Sequence, residues 1–292
     1  MGEQLLITGE TSGRKFARGK FIMDGWMGEV HEATENNVVF AMKSPIPLDS
    51  TVSADCLTRE AHEQAKFAHP HITRVVLFDR TRNLLASRTV PFLITPLADT
   101  DLRRRIYDSP NMEPLTIKEA FTISEHTADA LAAIHNKGLL HGAITVGNVL
   151  LRKDSQESLL AEINDFGETV TIDEARTKLP TPHGFITPPE INSGQYTPAT
   201  EQFYWAANIV YPAVVGKPPF DIDPFLPLNI HSNVNRQTIP SLIPGKPTVL
   251  HEVLDAVVGK ALQLDPRNRY PSMGALLDDL RVQRLKANRG HR

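Results

Sequence analysis

The placement of proline constrains this 292-residue chain more than any other feature. Of its 22 prolines, seven precede residue 115, fifteen lie from Pro180 to Pro271, and none falls from Leu115 to Leu179. Proline has no N–H and a fixed φ, so helix interiors and central strands exclude it. The proline-free stretch can hold uninterrupted regular structure, whereas the proline-rich stretch must be shorter helices cut by loops. Hydrophobic residues at 41% and charged residues at 22% suit an ordinary globular core, which excludes a collagen-like or wholly disordered chain. The net charge of -3 leaves no basic footprint for nucleic acid. The single cysteine, Cys56, cannot form an internal disulfide and favours a reducing compartment. The most apolar stretch, Leu84 to Ala98, is broken by Ser87, Arg88 and two prolines and does not make a membrane span. No basic-then-apolar leader opens the chain. A soluble, cytoplasmic protein is expected.

The first hundred residues read as strands with one helix. Val38 to Met42 and Pro91 to Ile94 are β-prone runs, and Ala54 to Ala68 carries Leu57, Ala61, Gln64 and Ala65 on one helical stripe. Beyond them helices dominate. The clearest spans Thr116 to Lys137, with Thr116 and Glu119 forming a capping box and Gly138 a stop. Two strand-like pieces follow, Val149 to Leu151 and Leu160 to Ile163. Further helices are predicted at Phe203 to Val215, at Leu250 to Leu264 and from Met273. The end from Arg284 to Arg292 reads as a frayed basic tail.

Chemistry-bearing residues recur in order along this framework. Gly25 and Gly28 form a glycine pair in a strand-turn-strand, and Lys43 ends the next strand. Such glycines let backbone approach phosphates, and such a lysine can pair with them. Glu60, on the following helix, can pair with Lys43. Asp165-Phe166-Gly167 follows the strand Leu160 to Ile163, and Asn148 precedes it. Oxygen ligands of this kind suit Mg²⁺. His69 and His71 flank Pro70, but nothing supplies a third metal ligand at suitable spacing.

From about Phe21 to Leu280 the chain resembles the eukaryotic-like (Hanks-type) Ser/Thr protein kinase family. Phe40-Ala41-Met42-Lys43 resembles the V-A-I-K strand, with Glu60 as the helix partner. His141-Gly142-Ala143-Ile144-Thr145-Val146-Gly147-Asn148 resembles the catalytic loop H-R-D-L-K-P-E-N, and Asp165-Phe166-Gly167 the metal-binding motif. Pro188-Pro189-Glu190 resembles A-P-E, and Gly216 to Phe220 and Asp265-Pro266 with Arg269 resemble later landmarks. The resemblance implies an α+β, two-lobed fold: a small antiparallel β lobe with one helix, and a larger, mainly helical lobe. The expected division is an N-terminal extension 1–20, an N-lobe 21–95, a C-lobe 96–281 and a basic tail 282–292.

It also implies roles. Gly25, Gly28, Val30, Ala41, Lys43, Glu60, Thr95, Ala98 and Leu150 are expected to bind nucleotide, ATP, and Asn148 with Asp165 to hold Mg. His141, Phe166, Glu190 and Arg269 are expected to be structural, Glu190 pairing with Arg269. The departures are concentrated in the catalytic loop. Ala143 stands where the family has its catalytic aspartate and Thr145 where it has lysine, so no catalytic residue is assigned. Gly142 replaces the arginine that receives an activation-segment phosphate, and Met23 the first phosphate-loop glycine. Counting back from Gly216, the family's loop-bracing aspartate falls on Gln202; a one-residue shift would put Glu201 there. The expectation is a pseudokinase that binds ATP and Mg and acts as a regulatory or scaffolding module toward a protein partner or a regulated signalling protein. The alternatives are a weakly active Ser/Thr kinase, transfer of another nucleotide moiety, and a nucleotide-independent scaffold.

Overall fold

The computed structural model describes residues 5–25, 28–46, 50–83, 88–108, 115–154, 156–177, 187–219, 241–242 and 247–289. The chain divides into two compact units, one running to Ala98 and including Asn164–Glu168, the other formed by Asp99–Ile163 and the chain from Thr169.

The smaller unit is built on a six-stranded antiparallel sheet in the order β1-β2-β3-β4-β6-β5. Its strands are β1 (Leu6–Thr8), β2 (Lys15–Asp24), β3 (Gly28–Glu35), β4 (Val38–Pro45), β5 (Leu77–Asn83) and β6 (Arg88–Pro96). Alternate residues face opposite sides of a sheet, and β4 shows the consequence. Met42 pairs with Ile94 and joins a core with Phe16, Ala33 and Phe92, while Lys43 pairs with Leu93 and faces the other way. Leu93 packs with Leu57 and Ala61 of helix α1 (Thr51–Gln64). That helix starts earlier than its apolar stripe predicts because the Ser50 side chain caps it, accepting the N–H of Ser53 at 3.1 Å. The sheet also takes up residues assigned by sequence to an extension, since β1 pairs with β2 through Leu6↔Ala17 and Ile7↔Phe16. The two outer strands are tied together. Glu10 donates its N–H to the Arg80 carbonyl at 2.8 Å, and the buried Asp79 carboxylate accepts the N–H groups of Thr11, Ser12 and Arg80 at 3.1, 2.8 and 2.7 Å.

The larger unit is organised by α2 (Ile117–Asn136), which carries the predicted capping box between Thr116 and Glu119. Ala120, Phe121, Ile123, Leu131 and Ile134 bury one side of it. Two small sheets accompany it: β7 (Thr100–Asp101), β9 (Val149–Lys153) and β10 (Leu159–Ile163) in the order β10-β9-β7, and β8 (Leu139–Leu140) with β11 (Val170–Thr171). A long helical segment runs from Pro198 to Val215 as α3 (Pro198–Trp205), a π turn (Ala206–Val210) and α4 (Tyr211–Val215). It begins before the predicted Phe203 because Thr197 caps it and Pro198 sits in its first turn, where no N–H is needed. Helices α5 (Val249–Ala261) and α6 (Met273–Arg289) complete the unit. The expected frayed tail is corrected as far as Arg289. Arg284 lies inside α6, its guanidinium meeting Glu125 of α2 at 2.5 Å and covering the Phe121 ring at 5.4 Å from its centroid. Residues 290–292 lie outside the described residues.

Candidate functional site

In the smaller unit, sheet register collects four of the expected residues. Val30 pairs with Lys43 and Ala41 with Thr95, and Ala41 and Lys43 are two apart on β4, so all four share one face. Gly28 opens β3 against this strand. A β-carbon there would lie 2.9 Å from the Ser44 carbonyl oxygen and 3.3 Å from Lys43 Cε, so only glycine fits. Gly25 donates its N–H to the Gly28 carbonyl at 2.8 Å, closing the turn; Trp26 and Met27 between them lie outside the described residues. Ala98, half-buried, ends the unit.

Lys43 is held by two carboxylates. Its Nζ lies 2.7 Å from Glu60 Oε2 and 3.2 Å from Asp165 Oδ1. Glu60 comes from α1, where Leu57 and Ala61 bury their side of the helix, and is itself only 2% exposed. Burial pushes the Glu60 carboxyl up to about 7, against the pull of Lys43. Burial alone would lower Lys43, but Asp165 and then Glu60 overcome it, and the ammonium is held well above its ordinary range. Among the described residues, Glu60 Oε1 is buried without a hydrogen-bond partner. Asp165 has φ 67°, a conformation rare outside glycine but accessible to Asp. The segment carrying it is fastened at both sides: Gln64 Nε2 donates to Asn164 Oδ1 at 3.1 Å, and Phe166 packs on Phe67 with ring centroids 5.6 Å apart.

In the larger unit, the stretch His141 to Asn148 is fixed by side chains. His141 is fully buried, its Nδ1 accepting the Ala143 N–H at 3.2 Å. Asn148 Nδ2 donates to the Ala143 carbonyl at 2.8 Å, and Ala143 itself is buried. Gly142 has φ 84° and donates its N–H to Glu201 Oε1 at 2.8 Å. Glu201, fully buried, also meets His135 Nε2 at 2.7 Å and the Tyr196 hydroxyl at 3.0 Å. Burial would raise the Glu201 carboxyl, but these partners, His135 first, keep it below its ordinary range. Glu201 is therefore the bracing residue. Gln202, where the count from Gly216 falls, is turned elsewhere and exchanges hydrogen bonds with the Tyr270 backbone at 2.9 and 3.1 Å. The π turn lies between Gly216 and this position. Its i→i+5 closure holds one more residue than an α-helical turn, so the count slips by one. Leu150 stands on β9, paired with Glu162 and Asp101. Glu190 and Arg269 form the expected pair, with Nη2 3.0 Å from Oε2 and both side chains buried. Arg269 also donates to the Ala199 and Gln263 carbonyls.

Sequence reasoning missed Tyr196, five residues from Glu201, and His135 and Asn208, whose contacts with Glu201 or the loop span 66 and 64 residues. The shift to Glu201 had one available signal: an acid beside the counted position.

The family description "Protein kinase domain" matches residues 16–279. Serine/threonine-protein kinase PkaA of Streptomyces coelicolor is 28% identical over 254 residues, covering 85% of this chain and 43% of PkaA. Serine/threonine-protein kinase PknB of Mycobacterium tuberculosis is 25% identical over 281 residues, covering 91% of this chain and 42% of PknB. The chain thus spans about two fifths of the length of these curated relatives.

Proposed function

The chain belongs to the protein kinase domain family, and from that premise we propose that it is a pseudokinase: a regulatory or scaffolding module that binds ATP with Mg and transfers phosphate slowly or not at all. The observation that carries this reading is the contrast between an intact Lys43–Glu60–Asp165 triad and a loop with Ala143 in the base position. A methyl group can neither accept the proton of a substrate hydroxyl nor orient it, and loss of a general base costs about 10²–10⁴ in rate. Thr145 in place of lysine removes a cation from the same step, and the two losses need not add.

In this reading Gly25, Gly28 and Lys43 take the phosphates, Glu60 orients Lys43, and Val30, Ala41 and Leu150 hold the adenine. Thr95 and Ala98 supply backbone hydrogen bonds to it. Asp165 and Asn148 fit a magnesium ion by their chemistry, a carboxylate and an amide oxygen, with waters completing the shell. Asn148 spends its Nδ2 on the Ala143 carbonyl, which leaves its side-chain oxygen for ligation. Bound Mg would neutralise phosphate charge. A protein partner reads the nucleotide state, and the setting is cytoplasmic; no helix of the described residues is long and apolar enough to cross a membrane.

Thermal-shift titration tests the nucleotide half. Mg·ATP is expected to raise the melting temperature of the wild type, and Lys43→Ala and Asp165→Ala to abolish that rise; no shift in the wild type selects the nucleotide-independent scaffold. Radiolabelled transfer with γ- and α-labelled ATP tests the other half. Incorporation that depends on Asp165 would establish an active kinase or a nucleotidyl-transferring enzyme instead, which phosphoryl transfer by positioning and electrostatics permits.

A further inference from the structure

The π turn does more than shift the count to Glu201. It carries Asn208, whose Nδ2 donates to the Ile144 carbonyl at 3.0 Å. Three consecutive loop residues are therefore each gripped by a different side chain. Glu201 holds the Gly142 N–H at 2.8 Å, Asn148 holds the Ala143 carbonyl at 2.8 Å, and Asn208 holds the Ile144 carbonyl at 3.0 Å. Two of the three grips come from the one helical segment running from Pro198 to Val215, Glu201 from before its irregularity and Asn208 from within it. π turns are uncommon in helices and recur at functional sites. Here the extra residue lets Glu201 and Asn208 reach the same loop.

We infer that Asn208 is a positioning residue: it pins the loop at Ile144 so that the Ala143 carbonyl stays where it orients the Asn148 amide, with the Asn148 side-chain oxygen presented to a divalent cation. The inference rests on the Mg·ATP reading above and deepens it. The chain of action is short. The Ile144 carbonyl lies one peptide beyond the Ala143 carbonyl, so releasing one frees the other to rotate. Asn148 Nδ2 then loses a fixed acceptor, and its amide plane is no longer set. Asn208 touches neither nucleotide nor metal in this scheme, and its effect is confined to the metal-dependent part of binding.

The test uses the full chain carrying Asn208→Ala, Asn208→Asp or Asn208→Gln, with ATP affinity measured by calorimetry in Mg²⁺ and again in EDTA. Asn208→Ala is expected to weaken Mg·ATP about three- to tenfold, the scale of one lost hydrogen bond, and to change binding in EDTA less than twofold. Asn208→Asp, which has no N–H to donate, should do the same, and Asn208→Gln should restore part of the loss. Equal weakening in Mg²⁺ and EDTA, or none in either, overturns the inference. Hydrogen exchange of the amides from Gly142 to Asn148 reads the anchor independently of ligand. Faster exchange in Asn208→Ala supports it, and unchanged exchange overturns it. If the wild type binds no nucleotide, the metal-presenting role falls with the function on which it rests, while the exchange result still decides whether Asn208 anchors the loop.

Discussion

Gly142 sits at φ 84°, where a β-carbon costs about 1–2 kcal/mol. Gly142→Ala is expected to lower unfolding free energy by about that amount in urea titration, and an arginine returned to this position would carry the same strain. Glu60 gives a pH signature. Its carboxyl is raised to about 7 from an ordinary 4.5, so the native state holds a proton that the unfolded chain releases at lower pH. Its contribution to stability is complete below the ordinary value and is lost as pH rises through about 7. The stability difference between wild type and Glu60→Gln, from urea unfolding at pH 5, 6, 7 and 8, should therefore move against the wild type as pH rises. A difference that stays flat would show that Lys43 offsets burial and Asp165 and leaves Glu60 an ordinary carboxylate. At this scale the pairing of Lys43 with Glu60 was legible in the sequence, because the spacing of the two along strand and helix is itself the signal. His135 was not, because nothing local marks a side chain whose partner, Glu201, is 66 residues away.

Among elements, the turn that follows the N-terminal strand is held by a single side chain. Asp79 is 4% exposed and collects the N–H groups of Thr11, Ser12 and Arg80; despite burial, which opposes it, these bonds hold its carboxyl far below its ordinary range. Asp79→Ala is expected to cost about 1–3 kcal/mol, the penalty for stranding buried donors, and to speed amide exchange at Thr11 and Ser12 ahead of the rest of the sheet. Uniform acceleration across the sheet would mean that β1 is not a separable element. Helix α2 was legible to its caps because a capping box is a local pattern, with Thr116 and Glu119 three residues apart. Helix α6 was misjudged at its end because a run of Lys and Arg reads as solvated, whereas Arg281 and Arg284 find Glu125 on α2. Their charge marks an interhelical contact that only packing reveals.

For the molecule, the division of labour between an intact triad and an eroded loop makes a direct prediction. Ala143→Asp combined with Thr145→Lys should raise phosphoryl transfer about 10²–10⁴-fold above the wild-type level, read as ³²P incorporation into the protein or a generic substrate. No gain, in a protein whose Mg·ATP affinity is unchanged, would place the defect outside the loop and remove the reason for assigning it there. The buried Glu190–Arg269 pair ties two distant segments of the larger unit together.

What the amino-acid order determined by itself was the family, the α+β class, the strand carrying Lys43, the helix carrying Glu60 and the alanine at position 143. Each of these depends on residue type at short spacing, which physical chemistry reads directly. What only the tertiary structure decided was which acid braces the loop, and that Asn208 joins it. A π turn differs from an α turn by one residue in its hydrogen-bond closure, a choice set by what the helix packs against. No local pattern from Pro198 to Val215 announces it.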